Sequence, residues 1–100
     1  FGDRNLARDL LRLFDEQCAR LVPTIVTDGP EGPRADAAHT LRGSAVAVGA
    51  TEVAALTAEI EQALRRGGGR EAAPAALLGA LARAVADARA AVAEWQATAA

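Results

Sequence analysis

His39, Arg42 and Gly43, within Ala38-His39-Thr40-Leu41-Arg42-Gly43-Ser44-Ala45, are the residues of this 100-residue chain whose types and spacing point to chemistry. A neutral imidazole is a nucleophile, and its unperturbed titration near pH 6.5 leaves a useful neutral fraction at physiological pH. Phosphorylating it would set a dianionic group beside the ring. An arginine three residues on shares that neighbourhood on a helix and donates charge-assisted hydrogen bonds to phosphate oxygens. The three residues thus suggest a phosphoryl acceptor kept clear for a large partner.

The helical phase of the segment supports this chemistry. At about 100° per residue, Ala38, Leu41, Ala45 and Val48 cluster within roughly 80° and form the apolar stripe. His39 falls about 140° from the centre of that stripe, Gly43 lies roughly opposite it, and Arg42 sits on the boundary. Ala35 and Val46 share the histidine's face by this count. A buried, satisfied core histidine is therefore disfavoured, and an inert surface histidine remains as the bland alternative. Gly43 counts against blandness. A mid-helix glycine costs about 1 kcal/mol relative to alanine, and alanine is the filler this sequence uses elsewhere. Close helix packing would also explain a glycine, but its phase points away from the core. Arg42 taken alone would read as a solvated helix charge.

Other chemistries find little support. Cys18 is the lone cysteine, so no internal disulfide can form. Its helical spacing between Phe14 and Leu21 suits a small core residue. One histidine and one distant cysteine make a poor metal-ligand set. Ser44 has no base placed to activate it, and no phosphate-binding glycine loop is present, which argues against a hydrolase or an ATP-dependent kinase. A formal net charge of -2 argues against a nucleic-acid binder.

The elements that must hold these residues are helices. Hydrophobic residues make up 51% of the chain and aromatics only 3%, so the apolar mass is alanine, leucine and valine, and strands find little support. Four amphipathic segments are punctuated by Gly and Pro. The first runs from about Arg4 to Val26, with Asp3 as N-cap, through Leu6, Leu10, Leu13, Phe14, Cys18, Leu21 and Ile25. A kink is expected at Pro23, with about one further turn of helix. The second opens near Pro33 and stops at Gly49. The third is expected to be capped by Thr51 and to run through Val53, Leu56, Ile60, Ala63 and Leu64 to Arg66, ended by Gly67-Gly68-Gly69. The fourth opens at Pro74 and carries Leu78, Leu81, Val85, Ala88, Val92 and Trp95, the last sealing one end of the core. Arg83, Asp87 and Arg89 interrupt the alanine-rich stretch 72–93, which disfavours a membrane span. The turn between the second and third helices is very short, so the economical architecture is an all-α, antiparallel up-down-up-down four-helix bundle, one domain over 1–100. The chain begins at Phe1 rather than Met, as expected of a trimmed segment, and no signal-peptide pattern is visible.

At these residues the sequence resembles the histidine-containing phosphotransfer (HPt) domains of multistep two-component phosphorelays. Their pattern is histidine, any residue, leucine, lysine or arginine, glycine and a small residue, matched by His39-Thr40-Leu41-Arg42-Gly43-Ser44. A glycine and a small residue follow one turn later, as Gly49-Ala50. The next helix carries spaced aliphatics ending in a hydrophobic-Glu pair, as in Val53, Leu56 and Ile60-Glu61. The match spans about Pro33 to Gly67, and the outer helices fit only as amphipathic helices of suitable length. Arginine stands where lysine is commoner, and the core is unusually rich in alanine.

The resemblance implies a four-helix bundle in which His39 accepts the phosphoryl group, Arg42 steadies it and Gly43 gives access. It implies a phosphohistidine carrier rather than an enzyme, exchanging a phosphoryl group with receiver-domain aspartates of response regulators or hybrid histidine kinases. Attack is expected through one ring nitrogen, Nε2. No cofactor is expected on this chain, and Mg²⁺ is expected on the receiver. Docking is expected on an apolar patch around the histidine that includes Ala35, Val46 and parts of the first and third helices. A cytoplasmic monomer without nucleic-acid or membrane partners is the expected setting. A helical adaptor whose histidine is silent is the alternative.

Overall fold

A computed structural model describes residues 3–68 and 73–98 of the chain. Four helices account for most of them: α1 (Arg4–Val26), α2 (Glu31–Val48), α3 (Thr51–Arg66) and α4 (Ala75–Thr98). No strand occurs among the described residues. Each helix packs on its neighbour in sequence, and α4 closes against α1 in an elongated bundle of 46 × 20 × 19 Å. Cross-helix pairs give the directions. Arg34 near the start of α2 meets Ile25 near the end of α1, Asp36 and His39 face Arg65 and Glu61 in reverse order, and Asp15 meets Arg89. All three helix pairs are antiparallel, the α1–α4 pair because Ala7 and Leu10, earlier in α1 than Asp15, line a crevice with Trp95, later in α4 than Arg89.

Local chemistry accounts for the helix ends. The Asp3 carboxylate accepts from the backbone N–H groups of Asn5 and Leu6 at 3.0 and 3.1 Å, a side-chain N-cap for donors that lack an intrahelical partner. Pro23 does not stop α1, which runs on to Val26. The ring lies on the exposed face, away from the packed core. Gly49 ends α2 at φ 78°, and its N–H reaches the Ala45 and Val46 carbonyls. Only a residue without Cβ takes that left-handed conformation cheaply, and the tight reversal it makes brings α3 directly back along α2.

Two boundaries differ from the sequence-based expectation. α2 starts at Glu31, two residues before Pro33. A proline at the third helical position loses nothing, because the first-turn N–H groups have no intrahelical partner. Thr51 is the first residue of α3 and not its cap; Ala50 takes the cap position without a side-chain hydrogen bond. Gly67 ends α3, while Gly69 lies outside the described residues.

The core lies along the bundle axis. Phe14, Cys18, Leu21 and Ile25 of α1 meet Ala38, Leu41 and Ala45 of α2, Val53, Ile60 and Leu64 of α3, and Leu81, Val85 and Val92 of α4. Leu6 and Leu13, expected in the apolar stripe of α1, are about half exposed at 48% and 47%. Leu13 sits about 100° around the helix from buried Phe14. Trp95 is half-buried, and shares an apolar crevice of about 280 Å³ with Leu11, Phe14, Val48 and Val92. Among the described residues two polar side chains are buried, and both are satisfied. Thr57 donates to the Val53 carbonyl at 2.8 Å, and Arg34 donates twice to the Ile25 carbonyl at 3.0 and 2.8 Å.

Candidate functional site

His39 stands at mid-length of α2 on its solvent face, with a side chain 66% exposed. The ring is not loose, because its Nδ1 lies 3.1 Å from Oε1 of Glu61 on α3. The antiparallel α2–α3 pairing makes this contact across 22 positions. Beside an ionised carboxylate, the tautomer of the neutral ring that fits this contact has its proton on Nδ1, where it donates, and its lone pair on Nε2.

Glu61 is itself held. Its Oε2 accepts from Nε of Arg65 at 2.9 Å, one turn on in α3, and the same guanidinium donates through NH2 to Oδ1 of Asp36 at 3.1 Å. Asp36 lies three residues before His39 on α2. Four side chains thus form one line, Asp36–Arg65–Glu61–His39, across two helices. Partial burial pushes the Glu61 carboxyl upward, but hydrogen bonds and charge from Arg65 and His39 outweigh it and hold the carboxyl below its ordinary value. Hydrogen bonds to Glu61 and Asp36 raise Arg65 in turn.

An open groove of about 480 Å³ adjoins the ring, lined by His39 and Arg42 from α2 and by Glu61, Gln62, Arg65 and Arg66 from α3. Arg42 and Arg66 form no ion pair among the described residues. Two uncommitted guanidinium groups beside an exposed ring nitrogen can receive an anionic group. Gly43 is exposed, and a Cβ built on it meets nothing within 4 Å. Close helix packing therefore does not explain this glycine. A methyl group there would not crowd the imidazole either. The missing side chain keeps open the space above the helix.

The expected docking residues divide. Val46 is 63% exposed, two turns from His39 on the same helix. Ala35 is only 1% exposed and belongs to the core, so no partner can reach it. Its phase was taken against a stripe for one neighbour, whereas α2 packs on both α1 and α3. The surroundings of the ring on the α3 side are charged and polar, not the apolar patch expected there. Glu61 entered the sequence analysis only through its place in a family pattern, and Asp36 and Arg65 did not enter as site residues. Glu61 and Arg65 have the i, i+4 spacing of a helical ion pair, but nothing in the sequence joins that pair to Asp36 and His39 on another helix.

Cys18 is buried, and burial pushes its thiol up to about 11, the behaviour of an inert core residue. Among the described residues no group of three or more His, Cys, Asp or Glu is placed to hold a metal ion. No helix among them is long and apolar enough to cross a membrane.

No curated protein and no solved structure matches the chain. The Hpt domain family matches it over residues 9–91, which takes in most of α1, all of α2 and α3, and α4 as far as Ala91. An exposed, oriented histidine in a four-helix bundle and a match over most of the sequence agree, and the chain belongs to the Hpt domain family, whose members carry phosphoryl groups on histidine in phosphorelays.

Proposed function

We propose that this chain takes a phosphoryl group from a receiver-domain aspartate onto Nε2 of His39 and passes it to a second receiver. The observation that carries this reading is the hold of Glu61 on Nδ1, which leaves Nε2 as the ring atom with a free lone pair. In the forward step the Nε2 lone pair attacks phosphorus in line. The Nε2–P bond forms as the P–O bond of the acyl phosphate breaks, and the aspartate carboxylate leaves with that electron pair. Nδ1 keeps its proton, so the ring becomes cationic, and the Glu61 carboxylate faces the new charge. Arg42 donates to the phosphoryl oxygens. A cationic phosphoimidazole retains a labile N–P bond, which suits return of the group to another carboxylate. Such transfers depend on positioning and charge stabilisation.

The chain acts as a carrier without kinase activity of its own. The divalent cation expected in the transfer belongs to the receiver, since the carboxylates nearest His39, Asp36 and Glu61, are both engaged by Arg65. The receiver docks over the exposed face of α2 from His39 across Gly43 to Val46. The module works in the cytoplasm as a monomer.

Incubation with a panel of phosphorylated receivers tests the assignment. Label should move to the wild-type chain, be lost in acid as a phosphoramidate is, and fail to move to His39→Gln. An acid-stable label, or one that His39→Gln still takes up, would overturn it. A receiver that binds tightly but passes no label would make the chain a helical adaptor instead.

A further inference from the structure

We propose that Arg65 is a positioning residue for phosphoryl uptake that braces Glu61 against His39 and masks the two carboxylates flanking the ring from the incoming phosphate. This deepens the carrier reading and rests on it. Asp36, one turn before the histidine, and Glu61, in contact with its Nδ1, would together present two negative charges to an anionic donor. One guanidinium bridges both, at 2.9 Å to Glu61 and 3.1 Å to Asp36. Its side chain is 47% exposed and Asp36 75%, whereas Glu61 is 15% exposed. The outer half of the line therefore lies in water and adds little to stability, so a purely structural account of Arg65 is weak.

The charges around the ring support masking. Asp36 and Arg42 on α2 and Glu61, Arg65 and Arg66 on α3 are the charged groups nearest the groove. With Arg65 present the cations exceed the anions by one; without it they balance, and the carboxylate touching the ring is left without its cation. The brace has a second effect. Glu61 has rotamers that point away from His39, and the Arg65 Nε–H, donating to Oε2, leaves Oε1 aimed at Nδ1.

The test uses the whole chain and potassium phosphoramidate, a small anionic donor that needs no protein docking. The Nε2–P bond forms as the donor's P–N bond breaks and ammonia leaves with the electron pair. Wild type and His39→Gln come first. If wild type takes no label from phosphoramidate or from any receiver, the carrier reading fails and this proposal falls with it. If wild type is labelled at His39, the Arg65 variants are decisive by themselves.

Arg65→Gln, checked for unchanged helical circular dichroism, is expected to slow uptake by roughly threefold to tenfold. Raising the salt concentration should recover part of the loss, because exposed repulsion is screened over about 10 Å at 0.1 M. Asp36→Asn added to Arg65→Gln should recover part of it at low salt. Arg65→Lys keeps the charge but brings one ammonium where the guanidinium bridges two carboxylates, and should fall between wild type and Arg65→Gln. Nitrogen-15 spectra of the His39 ring should show a mixed tautomer in Arg65→Gln and the Nδ1–H form in wild type. Uptake by Arg65→Gln at the wild-type rate would overturn the proposal. So would a loss that neither salt nor Asp36→Asn relieves, or one that Arg65→Lys shares in full.

Discussion

Nδ1 of His39 and Oε1 of Glu61 lie 3.1 Å apart, joining an exposed ring on α2 to a largely covered carboxylate on α3. The contact does two separable things: it orients the ring, and it places a negative charge beside it. Glu61→Gln keeps an oxygen able to accept from Nδ1–H but removes the charge, whereas Glu61→Ala removes both. Phosphoryl uptake should fall by about twofold to threefold in Glu61→Gln and about tenfold or more in Glu61→Ala. Rates from a phosphorylated receiver, with ring tautomers read by nitrogen-15 spectroscopy, check this. Equal rates in the two variants would mean that orientation contributes nothing.

The same carboxylate imposes a pH dependence on stability. Burial pushes the Glu61 carboxyl up, but hydrogen bonds from Arg65 and His39 and their charges bring it below its ordinary 4.5. A carboxyl lowered in the folded state contributes stability that is present above pH 4.5 and is lost as pH falls through the lowered value. Glu61→Gln has no such proton to take up. Urea unfolding of both chains should show wild type the more stable at neutral pH, with the difference narrowing as pH falls below 4.5. A difference that widens in acid would contradict the sign.

Gly43 offers a graded probe of access. A Cβ at this position meets nothing within 4 Å, so Gly43→Ala should fold, gain about 0.5–1 kcal/mol from better helix propensity, and transfer at nearly the wild-type rate. Gly43→Leu should fold as well, but its branched side chain would stand where a receiver must approach. Transfer from a receiver should drop at least tenfold in Gly43→Leu, while uptake from phosphoramidate should change far less. An equal loss with both donors would place the obstruction at the ring itself.

The architecture was legible because each helix carries its own signals. Asp3 caps α1, Gly49 takes the left-handed turn after α2, and the leucine and valine spacing of α4 survives in its buried residues. Phase along α2 was enough to put His39 outside and Leu41 inside. Failures arise where a second helix enters. Ala35 is buried because α3 covers the side of α2 that a single stripe leaves open. Glu61, Arg65 and Asp36 are ordinary helix charges in isolation. Their alignment follows from the register of two antiparallel helices, which the residue types alone do not specify. Thr51 looks like a cap by type, but the reversal at Gly49-Ala50 is so short that the helix has already begun there.

Arg34 went unremarked in the sequence for the same reason, and it carries the last prediction. It is 4% exposed and donates twice to the carbonyl of Ile25, in the last turn of α1. The final carbonyls of a helix lack intrahelical partners and carry the negative end of its dipole. A buried guanidinium there satisfies one such oxygen and ties the end of α1 to the start of α2, a junction otherwise made by a short loop. Arg34→Met has a side chain of similar length and fills much of the space but strands the carbonyl. It should cost about 2–3 kcal/mol of unfolding free energy. Arg34→Lys can make a single bond and should fall between. Because the contact joins α2 to α1 whereas the groove lies between α2 and α3, variants that remain folded should label at His39 at the wild-type rate. Denaturant unfolding and receiver labelling, run in parallel, separate the two effects. A stable Arg34→Met would show that the Ile25 carbonyl finds another donor.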